Sequence, residues 1–355
     1  IMASIDSKFI PHNNEIYGRA ATGLAALFSL FPENSKILYP ANICYAAIFP
    51  ALYNRCIPVF CDVDVRSGNV TLETVSQSLE TGIVAAVLPH MYGNPIVGFQ
   101  AIKELLNASN IVVVEDCASA LGAVDDTGSY VGFSGDYSLF SFGYSKTVSV
   151  GYGGLLCANG CNRLPFHTEN LPLFSDEILS KEEFFSKVYR VFRNSGYGYD
   201  EFSSEFFISL SSLFKDCFCF DLDCDQSSEL IDKVGNAEEL ICLRRRQHRF
   251  YSEYFSEHFG WIEQYEMTEG ASPWRFSFFV PSVDRSKVIK HLLDAEVPIS
   301  DWYPTINACF NDQAVYPGAS DFGSSVLNLP LCIDDFRLRD ILRKIDIVFS
   351  SIISD

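Results

Sequence analysis

Residues 112–154 hold an acid, an amine and a hydroxyl in an order that could support cofactor chemistry. Asp116 ends the apolar run VVVED, and Lys146 follows thirty residues later in the chain. Between them lies the strand-like segment SLFSF, which contains Ser141, and the glycine-rich turn GYGG closes the stretch at 151–154. Together these groups could hold an aromatic cofactor that carries an aldehyde and a phosphate.

Pyridoxal 5′-phosphate (PLP) is a cofactor that needs this set of groups. A carboxylate pairs with its ring nitrogen so that the ring withdraws electrons, and a lysine forms the Schiff base and later moves protons. Hydroxyls and backbone amides hold the phosphate. Each residue alone also has a structural explanation, since a strand-end aspartate often caps a helix and a lone lysine is usually solvated. The ordered combination favours a PLP site.

Short apolar strands alternate with helical patterns over residues 18–155. The predicted strands are KILYP, RCIPVFCDV, IVAAVLP and IVVVED, and the predicted helices lie at GLAALFSLF, around Leu72–Leu79 and near Phe99–Leu106. This alternation is typical of an α/β fold with a mainly parallel sheet covered by helices on both faces. Ligand groups should gather where the strands end.

The rest of the chain divides into two parts. Residues 166–232 are acidic and aromatic-rich, which predicts an insertion or interface region. The helical spacing within it favours a helix packed on its own subunit over a membrane-surface role. That spacing is carried by Phe184, Phe185, Val188, Tyr189 and Phe192. A helix near Ala237–Phe259, the strands WRFSFFV and VLNLPLC, and two further helical segments predict a small α/β domain at 236–355, after a large domain at 1–235.

Composition narrows the classes of partner. The net charge of −19 and pI near 4.7 leave no basic stripe for a nucleic acid. The cluster Arg244–Arg246 with Arg249 is predicted to be a solvated helix face with local ion pairs. The absence of an apolar run of about 18 residues and of a signal-peptide pattern predicts a cytoplasmic protein without membrane contact.

The twelve cysteines are expected to be reduced thiols. Cys61 and Cys157 lie inside apolar strands, where a thiol packs as a small hydrophobe. Cys217, Cys219 and Cys224 lack the paired spacing of a zinc site, so no metal is expected.

These motifs resemble the DegT/DnrJ/EryC1/StrS family, the nucleotide-sugar aminotransferases of PLP fold type I (aspartate-aminotransferase-like). The resemblance runs through GRAA at 18–21, PANICYA, HMYGNP, EDCASALG, FSFGYSK and GYGG to the C-terminal WRFSF and NLPL. It implies that Lys146 is the Schiff-base lysine, Asp116 the partner of the pyridine nitrogen and Ser141 a phosphate ligand. Gly18 and Arg19 match the phosphate-facing turn at a helix start. The Arg19 side chain is expected to form a surface or interface salt bridge.

The sequence departs from the family pattern near the expected substrate. This sequence has Ser119 where the family has a glutamine at the cofactor, Gly143 where it has a histidine, and Tyr152 where it has a glutamate. Cys44 replaces an aromatic that stacks on the cofactor, so either Cys44 makes a thinner contact or Tyr45 reaches over. The segment through which a partner subunit reaches the phosphate is not found, and DCDQSSELID occupies its region. These changes suggest an unusual acceptor.

Three further residues are candidates for substrate contacts. His90 could be an acid/base group or a structural residue at a strand end, and Tyr92 lies beside it. Arg275 could grip a donor carboxylate through a bidentate pair.

The resemblance implies amino transfer from glutamate or glutamine to a keto sugar, and a sugar linked to a nucleotide is the expected acceptor. Pyridoxamine 5′-phosphate would be the intermediate form of the cofactor, and the protein would be a homodimer. The alternatives are a sugar dehydratase, an aminotransferase for a non-sugar carbonyl compound and a non-catalytic relic. In the comparable dehydratases of the family the lysine is replaced, so Lys146 favours amino transfer.

Overall fold

A seven-stranded sheet forms the centre of the larger part of the molecule. The computed structural model describes residues 4–165, 170–194, 201–331 and 334–354. The strands of this sheet are β1 (Asn14–Tyr17), β2 (Lys36–Pro40), β3 (Ile57–Cys61), β4 (Ile83–Pro89), β5 (Val112–Asp116), β6 (Tyr137–Ser141) and β7 (Gly154–Ala158). Their order is β1-β7-β6-β5-β4-β2-β3. Strands β2 to β6 run parallel, and β7 is antiparallel to both of its neighbours.

Helices between these strands cover the sheet, as the alternating pattern predicts. They are α1 (Ala20–Phe28), α2 (Tyr45–Tyr53), α3 (Leu72–Gln77) and α4 (Phe99–Ala108). The middle of β4, from Ala85 to Leu88, is fully buried because both faces of the sheet are covered. Strands β5 and β6 are parallel neighbours, so their carboxyl ends bring Asp116 and Ser141 to the same edge. The predicted α/β class is confirmed.

The acidic, aromatic-rich region forms helices that pack on this sheet domain. They are α5 (Asp176–Asn194), α6 (Glu201–Leu213), α7 (Lys215–Phe218) and α8 (Cys224–Gly235). Phe185 and Tyr189 are buried in the main core together with Phe207, whereas Phe184 is 59% exposed. The helix is therefore amphipathic and packs on its own chain, as predicted. The side chain of Phe192 lies outside the described part of the structure.

The C-terminal part has its own sheet and core. Its elements are α9 (Ala237–His258), β8 (Glu263–Gln264), β9 (Phe276–Phe279), α10 (Ser282–Asp294), α11 (Pro317–Ser325), β10 (Val326–Leu329) and α12 (Asp335–Ser354). The strands form an antiparallel sheet in the order β10-β9-β8. Tyr251 and Phe255 of α9 pack there against Phe278, Leu327 and Ile345. The domain boundary at residue 235 stays a prediction.

The arginine cluster of α9 is not the solvated face that the sequence predicts. Arg246 and Arg249 are exposed, but Arg244 is only 4% exposed. Arg244 donates a hydrogen bond of 2.8 Å to the carbonyl oxygen of Lys146 and another to the carbonyl of Trp274. Arg245 also bonds backbone carbonyls. The prediction was wrong for these two residues because loops from distant parts of the chain pack against the helix.

The cysteines of the described residues are free thiols, and Cys61 and Cys157 are fully buried. Among the described residues, every helix is too short or too polar to span a bilayer.

Candidate active site

A cavity of about 260 Å³ opens at the carboxyl edge of the parallel strands. Eight of the residues singled out in the sequence line it: Arg19, Cys44, Tyr45, Asp116, Ser141, Gly143, Lys146 and Arg275. They come from the ends of β5 and β6, the turn after β6, the starts of α1 and α2, and the C-terminal part of the chain. The fold therefore collects residues that are up to 256 positions apart in the sequence.

Lys146 lies on the turn that follows β6 and reaches into this cavity. Its Nζ donates a hydrogen bond of 3.2 Å to Oγ of Ser119, and its backbone N–H bonds the carbonyl of Gly143. Burial lowers the pKa of the Lys146 amine from its ordinary value, although the negative charge of Asp116 opposes the shift. A lowered pKa increases the neutral fraction of the amine, which is the form that attacks a carbonyl carbon.

Asp116 presents a buried carboxylate at the end of β5. It is 8% exposed, and its Oδ1 accepts a hydrogen bond of 2.9 Å from the Ala118 amide. Burial raises the pKa of this carboxyl, while the Ala118 amide and the charge of Lys146 lower it. No ion pair from the described residues neutralises Asp116. A carboxylate in this setting suits a protonated ring nitrogen.

The phosphate end of a cofactor would fit at the start of α1. Ala20 and Ala21 of its first turn line the cavity beside Ser141. A helix start favours an anion because of its amides and dipole. Arg19 also lines the cavity, but its guanidinium pairs with Glu182 of α5 and donates to the carbonyl of Cys217. A salt bridge is present, but it joins two partly buried side chains within the chain and is not the surface or interface pair that was expected.

Gly18 supports the predicted phosphate end of the cavity without lining it. A Cβ on Gly18 would lie 1.9 Å from the carbonyl oxygen of Phe220. The carbonyl of Gly18 accepts a hydrogen bond from Gly153 of the GYGG turn. The glycine is required because two backbone segments approach each other closely at this point.

Cys44 and Tyr45 form the wall at the start of α2. Burial raises the pKa of the Cys44 thiol, and the charge of Lys146 opposes that shift. The Tyr45 ring packs 4.4 Å from the Tyr189 ring and 6.1 Å from the Trp302 ring, measured between centroids. Contact of either side chain with a cofactor ring stays a prediction.

The departures from the family pattern do not all face the cavity. Gly143 lines it, and Ser119 touches it only through its hydrogen bond to Lys146. Tyr152 lies outside the lining, where its hydroxyl donates to Glu229 and its ring packs against Phe174. The expectation that Tyr152 faces the acceptor is therefore wrong, because its side chain fastens α8 to the turn.

His90 is held within the fold and does not line the cavity. Its Nδ1 accepts a hydrogen bond from the Ile96 amide, which assigns the ring proton to Nε2. That nitrogen lies 2.9 Å from Oε1 of Glu115. Burial raises the pKa of Glu115, but the His90 hydrogen bond and backbone amides outweigh it and lower that pKa overall. The side chains of His90, Glu115 and Cys117 place atoms that could bind a metal within 4.8 Å of one another. The Glu115 carboxylate already accepts hydrogen bonds from the amides of Gly132 and Gly135.

Tyr92 supports the wall from behind. It is fully buried, and its hydroxyl donates to the carbonyl of Trp302 and accepts from the Tyr303 amide. Its ring stacks on those of Trp274 and Tyr303. Tyr92 therefore positions the loop that carries Tyr303 into the cavity lining.

Arg275 brings a positive charge into the cavity from the C-terminal part. Its Nη1 lies 3.1 Å from Oγ of Ser300, and its Nη2 lies 3.4 Å from Oγ of Ser145. The guanidinium sits 4.6 Å from the centroid of the Trp274 ring. Burial lowers its pKa, but a guanidinium stays protonated. Because these partners are neutral, the charge can still pair with a carboxylate.

Sequence reasoning missed several residues of the cavity. They are Tyr144, Glu182, Trp274, Trp302 and Tyr303. The segments WRF and DWYP carry an aromatic signal, since tryptophan and tyrosine often line binding sites. Their distance from Lys146 along the chain hid their common location.

The cavity opens into a second, larger groove of about 1000 Å³. Tyr45, Tyr144, Ser145 and Trp302 line both. The groove runs between α5 and α10, which contribute Arg190 and Lys290 respectively. Tyr144 is 57% exposed where the two spaces meet. A long ligand could therefore extend from the cavity over an aromatic surface that carries Arg190 and Lys290, with Asp294 and Asp301 also in its lining.

The fold type I architecture predicted from the sequence is confirmed, since solved aminotransferase structures share this fold. A solved structure of DesI in the presence of its TDP-sugar product covers 95% of this chain and 80% of that chain, with a TM-score of 0.72 and 18% identity. Residues 20–164 match the DegT/DnrJ/EryC1/StrS aminotransferase family. The family recognition from the motifs is thereby confirmed for this segment. Aminotransferases of this family are PLP-dependent, so the cofactor prediction is confirmed at the level of the family.

Two relatives with printed activities are similar to this part of the chain. GDP-perosamine synthase of Escherichia coli O157:H7 is 31% identical over 160 residues, which are 43% of this chain and 43% of that enzyme. The dTDP-4-dehydro-2,3,6-trideoxy-D-glucose 4-aminotransferase of Saccharopolyspora spinosa is 31% identical over 158 residues, 41% of this chain and 40% of that enzyme. The chain thus matches less than half the length of these two relatives.

Proposed function

We propose that this chain is a PLP-dependent aminotransferase that moves an amino group from glutamate or glutamine to a nucleotide-linked keto sugar. The observation that carries the proposal is the common location of Lys146, Asp116 and Arg275 in one cavity. The sugar aminotransferases among its relatives support the same activity.

PLP would supply a carbonyl carbon for amine exchange and an aromatic ring that withdraws electrons from the reacting carbon. Lys146 would hold its aldehyde end and Asp116 its ring nitrogen. Ser141 and the first turn of α1 would hold the phosphate. The Lys146 amine fits the aldehyde, the buried Asp116 carboxylate fits a protonated ring nitrogen, and the amides at the start of α1 with the Ser141 hydroxyl fit the phosphate.

Lys146 would act as the acid and base of the reaction. Its lowered pKa lets the amine accept a proton from the reacting carbon and return it later. Oγ of Ser119 accepts a hydrogen bond from Nζ and so fixes the direction in which the amine points. Asp116 stays negative beside a cation and preserves the electron-withdrawing power of the ring.

Arg275 would bind the carboxylate of the amino donor. It contributes up to five N–H donors in a planar fork, which matches a carboxylate. Ser145 and Ser300 hold the guanidinium over the cavity, and the adjacent Lys146 is the group that the donor must displace. The donor would thus lie with its carboxylate on Arg275 and its amine toward the lysine.

The groove between α5 and α10 would hold the nucleotide of the acceptor. Arg190 and Lys290 offer positive charge for a diphosphate, and the exposed ring of Tyr144 offers a surface for a base or sugar. A protein with a net charge of −19 needs such a local site to bind an anion.

The spectrum of the purified protein tests the first half of this function. With PLP bound, the protein should show a visible band that Lys146→Ala abolishes, and borohydride should fix the cofactor on Lys146. Excess glutamate or glutamine should bleach the band and leave pyridoxamine 5′-phosphate as the released cofactor. A reducible adduct on another lysine would contradict the assignment of Lys146.

Adding an acceptor tests the second half of the proposed reaction, in which the amino group passes from the cofactor to the keto sugar. A nucleotide-linked keto sugar should restore the band and yield an amino sugar. If a simple keto acid restores it better, amino transfer stands and the sugar part falls. If no donor bleaches the band but a nucleotide sugar loses water in the presence of pyridoxamine 5′-phosphate, the dehydratase hypothesis replaces this one. Failure of all three reactions would indicate a relic.

Variants of the groove test the nucleotide site separately. Arg190→Gln and Lys290→Gln should each raise KM for the nucleotide-linked acceptor by about tenfold, because each removes one charge near the diphosphate. Bleaching by glutamate should not change. Lys287→Gln is the matched control, since it lies on α10 outside the groove lining. Equal KM values in all three variants would remove the nucleotide from the groove.

We also propose that the protein is a homodimer. Phe184 and Val191 lie seven residues apart on α5, and Phe206 and Leu213 lie seven apart on α6, so each pair shares a helix face. All four are more than half exposed, and a second copy of the chain would cover them. Light scattering at micromolar concentration tests this proposal, and a fully active monomer would contradict it.

A further inference from the structure

Two side chains from the C-terminal part hold the turn that carries Lys146. The indole Nε1 of Trp274 donates a hydrogen bond of 2.8 Å to the carbonyl oxygen of Ser145. Nη2 of Arg244 donates one of 2.8 Å to the carbonyl oxygen of Lys146 itself. Consecutive peptide groups at the reactive lysine are therefore both fixed from outside the turn.

The turn needs such support because its backbone is strained. Ser145 has a φ of +65°, in the left-handed region that non-glycine residues seldom adopt. The intrinsic cost of such a residue is about 1 kcal/mol or more. Without external hydrogen bonds the peptide group before Lys146 could relax to another conformation and carry the side chain with it.

Arg244 connects three parts of the molecule. It is 4% exposed on α9, and it also donates to the carbonyl of Trp274, so the arginine, the tryptophan and the turn form one closed network. The same helix continues to Tyr251 and Phe255, which are buried in the C-terminal core. A buried guanidinium bonded to backbone carbonyls holds them more firmly than a neutral donor would.

We propose that Arg244 is a positioning residue that sets the reach of the Lys146 amine and couples it to the placement of the C-terminal core. The inference rests on the proposed role of Lys146. It does not require Arg244 to touch the cofactor or the substrate. Small errors in the position of a reacting group are expected to lower the rate strongly and binding little.

The test compares Arg244→Lys and Trp274→Phe with Arg245→Lys. Lysine keeps the charge of Arg244 but cannot reach both carbonyls, and phenylalanine keeps an aromatic ring without the N–H. Arg245 is the matched control because it lies on the same helix and bonds the carbonyls of Ala271, Gly122 and Gly270, none of them in the lysine turn. Circular dichroism establishes which variants are folded.

The first readout uses protein without cofactor. Lys146 is labelled with an amine-reactive reagent over a range of pH, and peptide mass spectrometry gives the rate at that residue. In Arg244→Lys and Trp274→Phe the pH midpoint of labelling should rise, because a released turn lets the ammonium form reach water. In Arg245→Lys it should equal that of the unmodified protein.

The second readout is steady-state turnover. Arg244→Lys should lower kcat about tenfold while KM for the amino donor stays within about twofold. A folded Arg244→Lys protein with an unchanged pH midpoint of Lys146 labelling and an unchanged kcat would overturn the inference. If Arg244→Lys does not fold, the same two measurements on Trp274→Phe decide the question. If the midpoint shifts but borohydride places no cofactor on Lys146, the positioning role stands and the proposed function fails.

Discussion

Replacing Asp116 by asparagine removes a buried negative charge from the cavity and leaves the local fold intact. The hydrogen bond from the Ala118 amide uses only Oδ1, and an asparagine side-chain oxygen can accept the same bond. The amide cannot balance a protonated ring nitrogen, so the ring would lose much of its ability to withdraw electrons.

The burial of Asp116 decides how large this effect is. Two opposite charges about 4 Å apart attract by about 4 kcal/mol at an effective dielectric constant of about 20, but by about 1 kcal/mol in bulk water. Asp116 is 8% exposed, so the first value applies. Because about 1.4 kcal/mol corresponds to a tenfold change in rate, kcat for amino transfer should fall by about 10³-fold.

The assay measures kcat with saturating donor, together with the amount of cofactor that the variant retains. Asp62→Asn is the control, because Asp62 also follows a strand of the same sheet but accepts amides of Gly318 and Ala319 outside the cavity. It should lower stability and leave kcat per folded molecule nearly unchanged. A loss of less than about tenfold in Asp116→Asn, with full cofactor content, would refute the pairing of Asp116 with the ring nitrogen.

Two further predictions concern stability. Gly18→Ala should lower the free energy of unfolding by about 1–3 kcal/mol in urea titrations, because its Cβ would overlap the carbonyl oxygen of Phe220. Gly235→Ala is the control, since a Cβ there meets open space, and it should be neutral or slightly stabilising. Equal free energies of unfolding for the two variants would contradict the packing argument. Burial lowers the pKa of His248 to about 4, so the unfolded chain binds a proton there at a higher pH than the folded protein does. The free energy of unfolding should therefore fall by up to about 3 kcal/mol as the pH drops from about 6.5 to about 4. His248→Gln should remove that part of the pH dependence and His12→Gln should not; an unchanged slope in His248→Gln would show that His248 is not the responsible group.

The sequence alone predicted that Asp116, Ser141 and Lys146 lie together in the candidate site. Alternating apolar strands predicted a parallel sheet, and the carboxyl ends of parallel neighbours must lie at one edge. Asp116 and Ser141 end two such strands, and Lys146 follows the second after a short turn. Local pattern was sufficient here because the residues are close in sequence and the sheet geometry fixes where strand ends meet.

The same local pattern was misleading for residues whose partners are distant. Arg244 to Arg249 have the composition of a solvated helix face, and only the packing of the lysine turn against α9 shows that Arg244 is buried. Tyr152 occupies a family substrate position, yet α8 turns its hydroxyl toward Glu229. Glu182 reaches Arg19 because α5 folds back on the start of α1.

The chain's sequence thus predicted the fold class and the cofactor, and it supplied Lys146 and Asp116 as candidates for holding the aldehyde and the ring nitrogen. Those features depend on strand periodicity and on short motifs, which a sequence displays directly. The tertiary structure alone decided which groups from the C-terminal part complete the cavity. Trp302 and Tyr303 enter it through the loop that the Tyr92 hydroxyl holds, and contacts between residues more than a hundred positions apart leave no periodic trace in the sequence.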